Sequence, residues 1–589
     1  MIKEQLVKEL TKILKSLGSP TDKIEFEHPA EMGHGDFATN VAMVVFGKAK
    51  HLRGEVAPAV HLGGEIKNPF DLVKKIAEEW QKLGLPKEVA KIEVAPPGFL
   101  NVWLQNEYLS ASASSVLKEK EKYGQTDTFK AKKIMVEFAH PNTHKELHIG
   151  HMRTLITGEG LARIFAAAGA KVFRANYQGD IGPHVARSIW GTLKILEDRG
   201  LKMEEVESWP LAKKAHLLGE GYVLGVQKYE KPELAKEIDE LNTKLYQKDP
   251  SVMPIYERTR RWSLEYYDTF YSRFYTKFDR LFFESEVFGP GKKVVEENVG
   301  KVFKKSEGAI VFAGEKYGLH TRVFVTKDGN PTYEGKDMAL GPLQFKTFPF
   351  DLNVHVVANE QTDYFKVVFK ALGLLYPDFV GRFFHLPMGM VQLVGKKMSS
   401  RTGVIFRVDD LLEDVKKLLL PLITKEGINE VEKAKIAEIL AIASVKYWIL
   451  RVGPKQDVFF DLQKSVSLEG DSGPYLEYTF ARTQSVLRKA QKQNYELRIM
   501  NYEFNSEELS LLRTIYRFPE VVAEAAEQMV PNLICNFLYD LCQKYNLFYD
   551  KWRILGEPEE KFRLMLTASV GQIIKNGLNL LGIESLERM

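Results

Sequence analysis

Cysteine is nearly missing: the 589 residues contain two, Cys535 and Cys542. Two thiols support neither a disulfide framework nor a cysteine-rich zinc site. They stand seven apart in a helical pattern, roughly 10 Å along the axis and too far to bridge, so both read as small core residues. Long apolar runs are missing as well. The stretch Ile439 to Leu450 is interrupted by Lys446, and nothing approaches the roughly 18 to 20 uncharged residues of a membrane span. The first residues lack the unbroken apolar core of a signal peptide. From Met1 to Leu17, Ile2, Leu6, Leu10, Ile13, Leu14 and Leu17 alternate with Lys and Glu, and Gly18 follows, which predicts an amphipathic helix with a C-cap. An excess of either charge is also lacking, since 82 basic side chains face 78 acidic ones for a net +4. Bulk charge therefore does not announce a nucleic-acid partner. Gly (43) and Pro (25) are near ordinary usage, and 44% hydrophobic with 27% charged residues is ordinary for a globular chain. These figures exclude collagen-like and wholly disordered chains. A multidomain cytoplasmic enzyme or scaffold is expected, with roughly four units at about 150 residues each.

What is present divides the chain by texture. Residues 1 to about 110 mix helical patterns with short strands at Ile24 to Phe26, Ile92 to Val94 and Leu100 to Leu104, with a Gly-, Pro- and Ala-rich loop at Ala57 to Gly64. This reads as an α+β module, and a charged helix, Ala113 to Lys122, leads to a boundary at Tyr123-Gly124. Strand Ile134–Ala139, helix Ile149–Ala168 ended by Gly169, and strand Val172–Tyr177 then make a βαβ unit, hence a parallel sheet. Ligands in such sheets bind beyond the carboxyl ends of the strands, where residues 139 to 151 fall. Charged helices at 193 to 280 interrupt the sheet. Their aromatic residues, Tyr256, Trp262, Tyr266, Tyr267, Phe270, Tyr271, Phe274 and Phe278, fall at helical spacing and predict packing rather than base stacking. Strand patterns return at Ala309–Phe312, Thr321–Val325 and Val354–Ala358, and beyond Asp409 the pattern is almost entirely helical to the end.

Two clusters carry chemistry. His148-Ile149-Gly150-His151 opens the βαβ helix, where unpaired N–H groups attract phosphate. Gly150 leaves room for a nucleotide ring near the backbone. Alone, the cluster reads either as an anion site or as a capping turn with two incidental histidines. A metal site is disfavoured, because no third ligand lies nearby. Far downstream, strand Val391–Val394 precedes Gly395-Lys396-Lys397-Met398-Ser399-Ser400-Arg401-Thr402-Gly403. Three cations and three hydroxyls between glycines suit a clamp on triphosphate, or equally a solvated basic turn.

Taken together, His148-Ile149-Gly150-His151 and Lys397-Met398-Ser399-Ser400-Arg401 resemble the paired signatures of class I aminoacyl-tRNA synthetases. Val136-Glu137-Phe138 leading to Pro141-Asn142 and Lys145, Asn176 to Gly182, Tyr333 through Asp337, and Gln361 narrow the resemblance to the arginyl-tRNA synthetase family. His34 to Asn40 and Pro97 to Asn101 are similar to its additional N-terminal domain. Pro474 to Tyr478 through Arg482, with Asn576 to Met589, are similar to its anticodon-binding domain. The resemblance spans nearly the whole chain and implies three domains. These are an α+β tRNA-binding domain (1–124), a Rossmann-like parallel-sheet catalytic domain (125–408, helical insertion 193–280) and an all-α anticodon-binding domain (409–589).

The resemblance also implies roles. Glu137, Asn142, Tyr333, Asp337 and Gln361 match positions around the arginine substrate, and a planar guanidinium suits bidentate carboxylates. His148, Gly150, His151, Lys397, Met398, Ser399 and Ser400 match the ATP site, with Mg²⁺ on the phosphates and no protein-bound metal, zinc included. Many class I enzymes carry lysine where Ser400 stands; Lys145, three residues before His148, is the candidate substitute. Catalysis would then rest on Lys145, His148, His151, Lys397 and Arg401 as electrostatic groups. Phe99 and Asn101 match a reader of the tRNA D-loop, and Tyr475, Tyr478, Tyr549, Trp552 and Met589 are candidates to pack on anticodon bases, with helix core the other reading for Tyr549 and Trp552. The implied reaction joins L-arginine to tRNA(Arg) through an arginyl-adenylate, its first step requiring bound tRNA, in a cytoplasmic monomer without membrane contact. A synthetase for another amino acid is disfavoured by Glu137 with Asp337. A non-catalytic tRNA-binding relative is the remaining alternative that Ser400 keeps open.

Overall fold

The computed structural model describes residues 2–19, 24–51, 66–395, 407–424, 427–490 and 503–589. The chain divides into two compact units. One gathers Met1–Tyr123, Thr483–Glu520 and Asp540–Ile573; the other gathers Gly124–Arg482, Val521–Tyr539 and Ile574–Met589.

In the first unit, the amphipathic opening segment forms helix Ile2–Ser16, burying Ile2, Leu6, Leu10, Ile13 and Leu14. Gly18 follows with a φ of 66°, the left-handed conformation that ends helices at little cost to glycine. Strands β1 (Phe37–Thr39), β2 (Val89–Ala95) and β3 (Phe99–Leu104) form an antiparallel sheet in the order β1-β3-β2. The strand expected at Ile24–Phe26 is not one. Phe26 is buried, but only Glu27 makes an isolated bridge, to Ala38, and the strand beside β3 is β1. A three-residue strand in a motif rich in Gly and Asp carries too short a pattern to be read. Asp36, just before β1, accepts the Leu104 N–H at 2.8 Å and pairs with Arg513 at 3.0 Å. The loop expected at Ala57–Gly64 lies outside the described residues.

The second unit holds β4 (Lys133–Glu137), β5 (Lys171–Gln178), β6 (Arg280–Phe283), β7 (Lys304–Ser306), β8 (Ala309–Phe312), β9 (Arg322–Val325), β10 (Leu352–Ala358), β11 (Phe383–Met388), β12 (Val391–Leu393) and β13 (Val458–Phe460). Five of them form one parallel sheet in the order β11-β10-β4-β5-β6. In β4, Ile134, Met135 and Val136 are all buried, the unbroken apolar run of a strand covered on both faces. Met135, Ala175, Phe282, Leu340 and Phe350 pack together in one layer of this core.

The later strands take different partners. The strands at 309–312 and 321–325 do not join the parallel sheet; with β7 they form a separate antiparallel one. The region beyond Asp409 is almost entirely helical as expected; its short strand β13 pairs in parallel with β12. A three-residue strand is set by a partner more than sixty positions away, which local periodicity does not register.

The insertion is helical as expected. Helices Leu211–Lys228, Pro232–Gln247 and Met253–Arg273 pack with Pro183–Asp198 around Val185, Ile189, Trp190, Ile238, Leu245 and Tyr256. Its aromatic stripe is core. Seven of the eight rings are buried, and Phe278 rests on Phe138 and Tyr271 at 4.7 and 4.9 Å between centroids.

Candidate active site

Strand order reverses between β4 and β10, since β5 and β6 extend from β4 on one side while β10 and β11 lie on the other. Loops leaving the carboxyl ends diverge at such a point and open a crevice. Helix Ile149–Ala167 begins there. His148 is its N-cap: Nδ1 accepts the Gly150 N–H at 3.1 Å, while the His148 N–H donates to His151 Nδ1 at 3.3 Å. The two rings stack with centroids 3.8 Å apart. Gly150 has a more local reason than an approaching nucleotide, because a Cβ there would stand 2.9 Å from His148 Cε1.

Burial holds His148 at about 4 and His151 well below its ordinary range, with the Lys145 ammonium adding to both. Both imidazoles are therefore neutral at physiological pH. With each Nδ1 used as an acceptor, each ring carries its proton on Nε2. The terminus thus offers two ring N–H donors and a positive helix end, without a full charge of its own.

Beside it lies a cluster of opposite character. Glu137 ends β4, in register with His355 of β10. Its Oε1 accepts from His355 Nδ1 at 3.0 Å and its Oε2 accepts from Gln344 Nε2, while Asn353 Nδ2 donates to Gln344 Oε1 at 2.9 Å. Burial acts to raise Glu137, but His355 chiefly, with His140 and Gln344, outweighs it and holds the carboxyl at about 2. Glu137 is a buried anion whose partners come from the protein itself.

Asp337 differs. It is buried one turn into helix Tyr333–Thr347, and Oδ2 accepts from the Tyr364 hydroxyl at 2.6 Å. Burial first, then the nearby Glu137, Glu334 and Glu284, push its carboxyl well above the carboxylate range. Among the described residues no cation is paired with it. The adjacent Lys336 is committed to Glu284 at 2.5 Å, and Arg322 to Glu334 at 2.9 Å. Tyr333 is exposed at the start of the same helix, with Lys336 Nζ 4.9 Å from its ring centre.

The structure brings Lys145, His148, Gly150 and His151 together, and Glu137 with Asp337. Asn142 bridges to Gly179, where a Cβ would stand 2.2 Å from Asn142 Oδ1, so the glycine makes room for that amide. Gln361 is exposed in the short turn Asn359–Gln361 after β10. Lys397, Met398, Ser399, Ser400 and Arg401 lie outside the described residues. Their segment leaves β12 and returns at Arg407, whose backbone bridges to His148.

Sequence reasoning missed Tyr177. Its hydroxyl is buried without a hydrogen-bond partner among the described residues, and Glu284, Asp337 and Glu137 all act on it electrostatically. The residue stood inside the quoted 176–182 motif, but nothing in its type or spacing marked it. Among the described residues no three His, Cys, Asp or Glu side chains are grouped to hold a metal ion, and no helix is long and apolar enough to cross a membrane.

The candidates for tRNA are dispersed. In the first unit, Phe99 is exposed at the start of β3, whereas Asn101 is buried between Ala38 and Glu93 in the sheet register. There too, Tyr549 is exposed, and Trp552 is half-buried, its Nε1 donating to Glu507 at 3.1 Å. In the second, Tyr475 packs near Tyr539 at 5.8 Å, Tyr478 is exposed with its hydroxyl accepting from Arg482, and Met589 is half-buried.

A switch-point crevice bearing a histidine-capped helix terminus defines a nucleotide-handling α/β protein with the architecture of a class I synthetase. The family model described as tRNA synthetases class I (R), catalytic domain, matches residues 112–462; the arginyl tRNA synthetase N-terminal domain matches 1–104, and the DALR anticodon-binding domain matches 476–589. The arginine–tRNA ligase of Flavobacterium psychrophilum is 32% identical over 96% of both chains, and that of Treponema denticola is 30% identical over 96% of this chain and 95% of its own. The chain belongs to the arginyl-tRNA synthetases, class I. The arginyl-tRNA synthetase structures from Thermus thermophilus (TM-score 0.79, 23% identity, all of both chains) and Plasmodium falciparum (TM-score 0.78, 19% identity, 100% and 99% of the chains) share the fold.

Proposed function

We propose that this chain activates L-arginine with ATP and transfers it to the terminal adenosine of tRNA(Arg). The observation that carries the choice of arginine is Asp337. A buried carboxyl among other acids, with no cation paired to it among the described residues, is stabilised as an anion when a ligand brings positive charge. A guanidinium supplies that charge and five donors. Glu137 then shapes the pocket as a fixed acceptor, and Tyr333, Asn142 and Gln361 take the remaining polar groups of the amino acid.

The α-carboxylate of arginine attacks the α-phosphate, the bond to pyrophosphate breaks, and arginyl-adenylate forms. The ribose hydroxyl of the tRNA next attacks the carbonyl carbon and releases AMP. No side chain acts as a covalent nucleophile. The Nε2–H groups of His148 and His151 and the helix terminus donate to phosphate oxygens, and Lys145 supplies a full positive charge beside them, taking the part left open by Ser400. Lys397 and Arg401 are assigned to the same phosphates, with Met398 and Ser399 beside the nucleotide. Mg²⁺ enters as part of the nucleotide substrate and offsets phosphate charge. The tRNA is held by Phe99 and Asn101 in the 1–124 domain and by Tyr475, Tyr478, Tyr549, Trp552 and Met589 in the 409–589 domain, with chemistry in 125–408. The chain works as a cytoplasmic monomer, and sedimentation at working concentration tests the monomer.

Pyrophosphate exchange with each of the twenty amino acids, with and without tRNA, tests the whole reading. Exchange is expected with arginine alone, and only when tRNA is present. Exchange driven by lysine or glutamate instead would overturn it.

A further inference from the structure

Lys145 lies three residues before His148, the N-cap of the helix, and its surroundings are unusual. Burial lowers His148, His151 and His184, and the Lys145 charge adds to the shift of each. Among the described residues Lys145 pairs with no carboxylate. Its neighbour Glu146 is turned elsewhere, to His216 at 3.2 Å and Arg407 at 3.5 Å. The partner Lys145 does have is an aromatic face: Nζ stands 4.3 Å from the centre of the Tyr222 ring.

Tyr222 comes from the helical insertion, on helix Leu211–Lys228. That helix is seated without slack. A Cβ at Gly191 would stand 2.0 Å from the Gly221 carbonyl oxygen, and one at Gly219 would stand 2.9 Å from Glu146. Ser188 Oγ donates to the Leu218 carbonyl at 2.8 Å. The backbone of Lys145 is held by the insertion as well, since the Tyr267 hydroxyl lies 2.6 Å from the Lys145 carbonyl and 2.7 Å from that of Asn142.

We propose that Tyr222 is a positioning residue for adenylate formation, its ring face holding the Lys145 ammonium toward the phosphate-binding helix terminus, so that the insertion builds part of the active site. The physical point is the kind of partner. A carboxylate at this place would fix the ammonium but cancel its charge for an incoming phosphate. A ring quadrupole attracts the cation while adding no net charge, so Lys145 is aimed and remains fully positive. The inference rests on the reading that Lys145 acts on phosphate.

The test uses the full-length protein with arginine and tRNA present, following pyrophosphate exchange in Tyr222→Leu, Tyr222→Phe, Lys145→Met and the double variant Lys145→Met with Tyr222→Leu. Removing the ring is expected to lower kcat about three- to thirtyfold, the range of a partly desolvated cation–π contact. The KM for arginine should stay unchanged, although Tyr222 also acts electrostatically on Tyr333. Tyr222→Phe, which keeps the face, should retain most of the rate. In the Lys145→Met background the leucine substitution should add nothing. A Tyr222→Leu loss that persists in that background overturns the proposal, as does a phenylalanine variant no better than leucine at an unchanged thermal midpoint. A full rate for Lys145→Met refutes the underlying reading and the proposal with it. A severe Lys145→Met defect beside an intact Tyr222→Leu refutes the positioning role alone.

Discussion

The histidine terminus and the acidic pocket lie at the same edge of one sheet and solve opposite problems with the same physics. At the terminus, burial keeps His148 and His151 neutral, and the site attracts an anion through ring N–H groups and helix partial charges. In the pocket, burial and then the neighbouring acids push the Asp337 carboxyl well above the carboxylate range, a shift that an incoming cation would oppose. In both regions burial disfavours the charged form of these groups. Glu137 is the contrast inside the pocket, because His355 and Gln344 already satisfy it. Two carboxyls that look equivalent in sequence therefore have different tasks.

The comparison breaks most sharply at Asp337. Asp337→Asn is expected to cost about 2 to 5 kcal/mol of arginine binding, the loss for one member of a buried charge pair. It should appear as a KM for arginine raised about thirtyfold or more, with ATP little affected; an unchanged KM removes Asp337 from the pocket. On the terminus side, Lys145→Ala should slow adenylate formation about a hundredfold, as for one preorganised electrostatic group, at constant arginine KM. Normal adenylate formation would eliminate Lys145 as the replacement for the loop lysine.

A third test asks whether the imidazoles are kept neutral. Burial holds His144 at about 3 and His148 and His184 at about 4. A histidine whose pKa falls on folding adds stability that is complete above about 6.5 and erodes as pH drops toward the folded value, by about 1.4 kcal/mol per pH unit for each such group. Glu477, raised to about 8 by burial, loses stability in the other direction as pH rises from about 4.5 to 8. The informative quantity is thus a difference. Between pH 6.5 and 4.5, His144→Gln should lose stability less steeply than the unsubstituted protein, read from denaturant midpoints. Parallel slopes would show that His144 is charged in the fold.

The smallest effect sharpens the pocket. Arginine should release up to one proton on binding, because a guanidinium favours the Asp337 carboxylate, and its affinity should rise with pH. Calorimetry in two buffers of different ionisation enthalpy measures this. Release that is equally large in Asp337→Asn would locate the proton elsewhere.

The helix-terminus half of the candidate site was legible because its geometry follows from a short contiguous motif. His148 to His151 cap a helix through contacts two and three residues apart, and such local geometry follows from local sequence. Glu137 and Asp337 were legible only through resemblance, and even then as an equivalent pair. Tyr177, Tyr222 and the Glu284–Lys336 pair carried no signal, for each depends on neighbours brought from tens of residues away.

By itself the sequence determined the amphipathic opening helix, the βαβ unit, the helical insertion with its buried aromatic stripe and the capped helix terminus, since periodicity and capping are properties of adjacent residues. Only the tertiary structure decided which strands share a sheet, that β13 pairs with β12, that Glu137 takes His355 and Gln344 as partners while Asp337 takes the Tyr364 hydroxyl, and that a tyrosine of the insertion faces Lys145. Those outcomes depend on burial and on distances between remote segments, and a charge or a ring acquires its role from what surrounds it.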